Sequence, residues 1–252
     1  MPAPVALQLY TLREAANDNF EQVVRQVADM GYAGVEPAGF PGTSPEEAGK
    51  LFKSLDLDVP SAHLGIPIGE HKQYSIEAAQ AIGAPRIISG VGPSDLDTTD
   101  KIKGVCENFN EAGASAGEYG LTFGIHNHWW EFLKVDGSYV YETMLDHLDP
   151  AVFFEVDIYW VQTGGPDPAA VVRQLGARAP ILHIKDGPCN REDDMTAVGE
   201  GNVDIPAVVE AGKEHTEWHI VELDRCETDM FEAVQKSLNY LVDNGLGTGK
   251  TR

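Results

Sequence analysis

The stretch Val152-Phe153-Phe154-Glu155-Val156-Asp157-Ile158-Tyr159 decides how the rest of the chain is read. Its apolar residues are those of a strand buried on both faces, and two carboxylates interrupt it. Gly164-Gly165-Pro166-Asp167 then leads into Pro168–Leu175, where proline suits the first turn of a helix. The same unit of strand, turn and helix recurs in both directions. Further strand candidates are Val5–Tyr10, Gly34–Pro37, Val59–Leu64, Arg86–Ser89, Leu121–Asn127, Ile181–Lys185 and Trp218–Leu223. Helix candidates fall between them at Phe20–Met30, Pro45–Ser54, Ser75–Ile82, Thr99–Tyr119, Tyr141–His147, Pro206–Lys213 and Met230–Asn244. In the first of these Phe20, Val23, Val24, Val27 and Met30 recur at helical spacing, Asp18 or Asn19 can cap the start, and Gly31 ends it.

Eight such pairs without a long Pro/Gly/Ser linker predict an α/β protein, a single (β/α)₈ TIM barrel over residues 1–252 with 245–252 as a frayed tail. The rival is an open doubly wound sheet, against which stands the lack of a G-x-G-x-x-G after the first strand. Forty acidic against 18 basic residues give a formal charge of −22, which repels phosphate backbones and anionic lipid and argues against nucleic-acid and membrane partners. Cys106, Cys189 and Cys226 are odd in number and far apart, so no disulfide framework or paired-cysteine zinc motif is expected. With no signal-peptide pattern at Met1–Tyr10 and no apolar run near the ~20 residues of a membrane span, the expected location is the cytoplasm.

In barrel enzymes the functional groups sit at the C-terminal ends of the strands. Here the fifth strand ends His126-Asn127-His128, the sixth carries Glu155 and Asp157, the seventh His183, Lys185 and Asp186, and the eighth Glu222 and Asp224. A charge in a buried strand is costly unless paired or coordinated, and one shared ligand explains four such exceptions at corresponding depth. One residue from each strand gives His126, Asp157, His183 and Glu222, an N₂O₂ set for one divalent metal. Mn²⁺ is the first candidate, Co²⁺, Fe²⁺ and Zn²⁺ suit the same donors, and Mg²⁺ is an alternative less matched to nitrogen. For Lys185, Asp186, Asp224 and Arg225 a rim of ion pairs is an equal reading, and Glu155 reads as structural.

The chain resembles the xylose-isomerase-like TIM barrels, a family that includes tagatose and psicose 3-epimerases, inosose dehydratase, hydroxypyruvate isomerase and endonuclease IV. The resemblance rests on Leu7-Gln8-Leu9-Tyr10-Thr11-Leu12-Arg13, Gly31-Tyr32-Ala33-Gly34-Val35-Glu36, Ser61-Ala62-His63, His126-Asn127-His128, Val156-Asp157 with Gly164-Gly165-Pro166-Asp167-Pro168, His183-Ile184-Lys185-Asp186, Gly199-Glu200-Gly201-Asn202-Val203-Asp204 and Val221-Glu222-Leu223-Asp224. It covers almost the whole chain. Epimerase members bind one metal through Glu, Asp, His and Glu, of which the last three correspond to Asp157, His183 and Glu222. His126 stands where the first glutamate is expected, and Trp160 stands where many relatives have a histidine, supplying an aromatic wall instead of a further ligand. Trp160 and the acidic surface make endonuclease IV, with its three-zinc cluster, a poor match.

The resemblance implies enediolate chemistry on a keto-sugar or related polyol, with Glu222 as base, Lys185 adding positive charge at the oxyanion, and His126 or His128 as proton donor. A sugar isomerase or epimerase is the leading function. A lyase or dehydratase on a keto-inositol or 3-keto-glycoside is the alternative, because His126 removes the symmetric carboxylate pair that epimerisation at one carbon needs. A non-catalytic sugar-binding barrel is the third reading. The partner expected is a small sugar or cyclitol, and the family implies a homodimer or homotetramer. Substrate contacts are expected from Gln8, Tyr10, Glu36, His63, Trp129, Trp160 and Lys185. For Gln8 and Glu36 a hydrogen bond within the barrel is an equal reading, and Trp129 and Trp130 have loop anchoring as the other option.

Overall fold

The computed structural model describes residues 2–250. Eight parallel strands form the barrel: β1 Val5–Gln8, β2 Gly34–Glu36, β3 Ala62–His63, β4 Arg86–Ser89, β5 Thr122–His126, β6 Phe153–Asp157, β7 Ile181–Ile184 and β8 Trp218–Val221. Their order is β2-β1-β8-β7-β6-β5-β4-β3, so the first strand pairs with the last. The remaining seam, between β2 and β3, is closed by single bridges, Gly34 with Asp58 and Ala38 with His63. The Val35 amide donates to the Asp58 carbonyl and the His63 amide to the Pro37 carbonyl. Gly34 is required here, since a Cβ at this position would lie 2.5 Å from the Asp58 carbonyl oxygen.

Helices α1 Arg13–Met30, α2 Pro45–Ser54, α3 Lys72–Ile82, α4 Thr99–Gly117, α5 Val140–His147, α6 Ile158–Gly164, α7 Pro168–Leu175, α8 Ile205–Gly212 and α9 Met230–Asp243 surround the sheet. None of them is long and apolar enough to cross a membrane. The first begins earlier than helical spacing implies. Asn19 is extended (φ −156°, ψ 88°), and its side chain accepts from the Gln22 amide at 3.0 Å, capping the expected helix inside a longer kinked one.

All the expected strands but Arg86–Ser89 run past the observed ends, and in three the reason is local. Strand β6 stops at Asp157 because that carboxylate caps α6, accepting from the Trp160 amide at 2.9 Å, so Ile158 and Tyr159 are helical. Strand β1 stops at Gln8, whose side chain accepts from the Tyr10 amide and starts a 3₁₀ turn over Leu9–Leu12. Strand β3 keeps only Ala62–His63 because the seam leaves Val59–Ser61 without a continuous ladder. The tail differs from expectation as well. Leu246 donates to Leu241, Thr248 pairs with Ala3 and Val5, and Lys250 donates to Gly31, so the segment is bound as far as Lys250. Residues 251 and 252 of the expected frayed tail lie outside the described residues.

Side chains of a strand alternate between its two faces, so the barrel divides the core. One apolar cluster lies between sheet and helices, and a separate one of Ala6, Ile88, Phe153, Ile181 and Ile220 fills the barrel. Two residues further along the same strands stand Gln8, Gly90, Glu155, His183 and Glu222, and two beyond those on β6 and β7 stand Asp157 and Lys185. Period two therefore lifts the polar residues from the apolar plug toward the C-terminal mouth.

Candidate active site

A cleft of about 750 Å³ opens at this mouth, bordered by Tyr10, His63, His126, His128, Trp130, Glu222 and Asp224. At its base one potential ligand atom from each of His126, Asp157, His183 and Glu222 lies within 4.8 Å of the others, and all four residues are buried. The strand ends place them: Asn127 donates to the Asp157 carbonyl at 3.1 Å and accepts from the Asp157 amide at 3.0 Å, tying β5 to β6. Lys185 inserts its ammonium among the carboxylates, 2.9 Å from Asp157, 2.7 Å from Glu222 and 2.8 Å from Asp224.

Electrostatics separates the roles of these groups. Burial raises the Glu222 pKa, but Lys185 and His183 outweigh it and hold the carboxyl well below the usual carboxylate range. Burial pushes Asp157 up to about 6, with Lys185 opposing. Burial depresses Lys185, but Asp157, Glu222 and Asp224 more than compensate, so it stays an ammonium. Burial pushes His126 well below its ordinary value, which leaves a neutral imidazole with a lone pair to offer.

The donor set fits a divalent cation. Two carboxylates and two imidazoles converge, and Asp157 Oδ2 is buried without a hydrogen bond, its one close cation being Lys185 Nζ at 2.9 Å. His126, Asp157, His183 and Glu222 are the residues that would hold the ion.

Other expected residues fall elsewhere. Burial, then Lys185, pushes His128 down to about 4, so it is neutral at pH 7 and poorly suited to donate a proton; for His126 the same objection holds. Gln8 and Glu36 are fully buried, bonded to each other at 2.6 Å beneath the mouth, and do not border this cleft. Trp160 packs in the core 5.7 Å from the Lys185 ammonium, and Trp129 lies under the Arg191 guanidinium at 3.5 Å. The aromatic wall of the cleft is Trp130, stacked on His128 at 4.1 Å, with its Nε1 donating to the Val91 carbonyl. Tyr10 and His63 do border the cleft. Asp186 is structural: its carboxylate accepts from the amides of Gly187, Gly199, Gly201 and Val203, clamping the loop after β7. Tyr74, from α3, also borders the cleft and carries no sequence signal, whereas Glu155 could have been placed inside the barrel from its alternation with Phe153 and Asp157.

A closed ring of eight parallel strands, each connected through helical segments to the next, with a polar mouth at the strand C-termini, is the TIM-barrel enzyme architecture. The profile of the xylose isomerase-like TIM barrel family matches residues 24–243, and the chain belongs to that family. A sugar phosphate isomerase/epimerase from Parabacteroides distasonis superposes with a TM-score of 0.83 at 25% identity, over 98% of this chain and 96% of that one. The probable 3-DHS dehydratase of petrobactin synthesis from Bacillus anthracis superposes at 0.73 and 12% identity, over 95% and 98%. The zinc-bound IolI protein does so at 0.70 and 16%, over 96% and 97%. No significant match is found among curated proteins.

Proposed function

We propose that this protein is a divalent-metal-dependent sugar isomerase or epimerase that removes a proton from the carbon next to a substrate carbonyl. The observation that carries the reading is the convergence of His126, Asp157, His183 and Glu222 around one point at the base of the cleft, with Lys185 beside them. A bound divalent ion, Mn²⁺ first and Zn²⁺, Co²⁺, Fe²⁺ or Mg²⁺ as alternatives, would supply Lewis acidity toward the carbonyl. The bound zinc of the IolI protein is in keeping with this.

Glu222 is ionised, borders the cleft and is the group placed to take the proton. Lys185 presents positive charge to the oxygen on which negative charge develops, in a site closed to bulk water on the barrel side. Trp130 and Tyr10 offer flat faces for the C–H surface of a sugar or cyclitol. Apart from Lys185, whose ammonium lies behind the cleft-lining Glu222 and Asp224, no lysine or arginine stands at the cleft, which favours an uncharged ligand. The formal charge of −22 weighs against nucleic-acid and membrane partners, the location we infer is the cytoplasm, and the family resemblance points to a homodimer or homotetramer.

A second reading, a lyase or dehydratase, draws on one feature: the mouth presents the imidazole of His126 on β5, so the symmetric carboxylate pair that epimerisation at one carbon needs is incomplete. The dehydratase among the structural neighbours agrees with it.

Metal content of wild type beside His126→Ala, Asp157→Ala, His183→Ala and Glu222→Ala is the decisive test. About one ion per chain in wild type, lost in the variants, is expected; a wild type that stays metal-free after incubation with each ion sinks the reading. Product mass spectra after reaction with keto-sugars in D₂O then separate the two chemistries: isomerase or epimerase products gain deuterium and keep all their oxygens, whereas lyase products have lost the β-substituent.

A further inference from the structure

Beneath the mouth lies a second group of ionisable side chains that the proposed reaction does not use. Glu36, on β2, and Glu155, on β6, are both fully buried. Glu155 Oε2 lies 2.6 Å from His63 Nε2, 3.1 Å from His126 Nδ1 and 3.1 Å from His183 Nε2. Glu36 Oε2 lies 2.8 Å from His183 Nε2 and accepts from Gln8 Nε2 at 2.6 Å, while its other oxygen accepts from the Ser61 hydroxyl. His126 and His183 therefore each have one nitrogen turned down to these carboxylates and one turned up. The upper ones are His126 Nε2, 3.8 Å from Asp157, and His183 Nδ1, 2.8 Å from Glu222.

We propose that Glu36 and Glu155 are positioning residues that hold the Nε2–H of His183 and the Nδ1–H of His126, so that His183 Nδ1 and His126 Nε2 face the mouth as metal-binding nitrogens. The proposal rests on the reading of the mouth as a metal site. Anchoring one N–H on a carboxylate sets the ring plane before any ion arrives and, for His126, the tautomer as well; His183 Nδ1, 2.8 Å from the ionised Glu222, would give up its proton as the ion binds. Glu36 is itself fixed by Gln8 and Ser61, which explains why a glutamine and a glutamate occupy barrel positions that no substrate reaches.

The lower group could also be read as a second metal site, since His63, His126, Glu155 and His183 bring ligand atoms together. The distances favour hydrogen bonds. Three imidazole nitrogens, of His63, His126 and His183, lie 2.6 Å, 3.1 Å and 3.1 Å from the single oxygen Glu155 Oε2, as N–H donors around one acceptor do, and the number of ions bound per chain separates the two readings.

The test uses histidine-labelled full-length protein, metal-free, with long-range ¹H–¹⁵N spectra reporting the tautomer of each ring, and Zn²⁺ titration against a chelator reporting stoichiometry and affinity. Expected in wild type are a proton on His126 Nδ1 and one Zn²⁺ per chain. In Glu155→Gln and Glu36→Gln the stoichiometry stays at one and the affinity falls about 10–100-fold, the His126 tautomer becoming mixed in the former. A His126 proton on Nε2 in wild type, two Zn²⁺ per chain, or affinities within about twofold of wild type in both variants overturns the proposal. If a variant does not fold, the wild-type spectrum and stoichiometry decide alone. If wild type binds no Zn²⁺ or other ion, the metal reading fails separately, and the spectra still judge the ring orientation.

Discussion

Asp186→Asn keeps the shape of the side chain and removes its charge. In the native chain Oδ1 accepts from Gly187 at 2.8 Å and Val203 at 3.0 Å, and Oδ2 from Gly199 at 2.9 Å and Gly201 at 3.1 Å. Asparagine has one acceptor oxygen, so two of the four amides must face its NH₂ group or find water. Hydrogen bonds to a charged group contribute about 1.5–3 kcal/mol each, which puts the loss of two at about 3–6 kcal/mol. Water reaches the half-buried Gly199 and Gly201 amides more readily than the buried ones, so the lower end, about 3 kcal/mol, is expected. At about 2–4 °C per kcal/mol for a chain of this length, the Tm falls by roughly 6–12 °C. Calorimetric or circular-dichroism melts of the two proteins in one buffer measure this. A Tm within about 2 °C of wild type would refute the clamp, because four charge-assisted bonds to one carboxylate cannot be halved without cost. Gly201 is part of the same clamp: a Cβ there would clash with the Asp186 carboxylate and the Gly187 backbone.

His219 is buried and its pKa is pushed down to about 4 by burial, against a backbone bond to Leu246 that raises it. The unfolded chain takes up a proton below about 6.5 that the folded one refuses, so stability is full above that pH and falls by up to about 3 kcal/mol toward pH 4. Urea unfolding of His219→Leu should show a flatter acid limb over this window, and an unchanged slope contradicts the assignment. Gly34→Ala drives a Cβ against the Asp58 carbonyl at the β2–β3 seam and is expected to cost about 1–3 kcal/mol, read as a lower denaturant midpoint; an unchanged midpoint would mean the seam yields freely. Lys185→Met should slow carbon–proton exchange by about 10²–10³-fold if its charge serves the developing oxyanion, and an exchange rate equal to wild type removes that role.

Much of this architecture is legible in the chain order. The apolar runs and their helical partners occur where the barrel has strands and helices, because burial on both faces selects Val, Ile, Leu and Phe regardless of distant detail. The upward series on β6, Phe153 to Glu155 to Asp157, is readable as well, since period two follows from backbone geometry. The ends of elements are less so. Whether Asp157 closes a strand or caps a helix depends on a bond to Trp160 three residues on, and both outcomes suit the same apolar run. The role of Asn19 is similar: its cap is visible, but the helix on its other side is held by packing that the local pattern does not encode.

Short-range periodicity along the chain is enough for the fold class and for the depth at which polar residues leave the apolar plug. Only the tertiary structure decided that Gln8 and Glu36 lie below the mouth, that Trp130 and not Trp129 or Trp160 borders the cleft, and that the tail is pinned at Thr248. It also decided which nitrogen of His126 and His183 faces upward. Each of these depends on closing the ring, which brings β1 and β2 beside residues two hundred positions away, and on side-chain torsions chosen by those neighbours. No spacing along the chain carries that information.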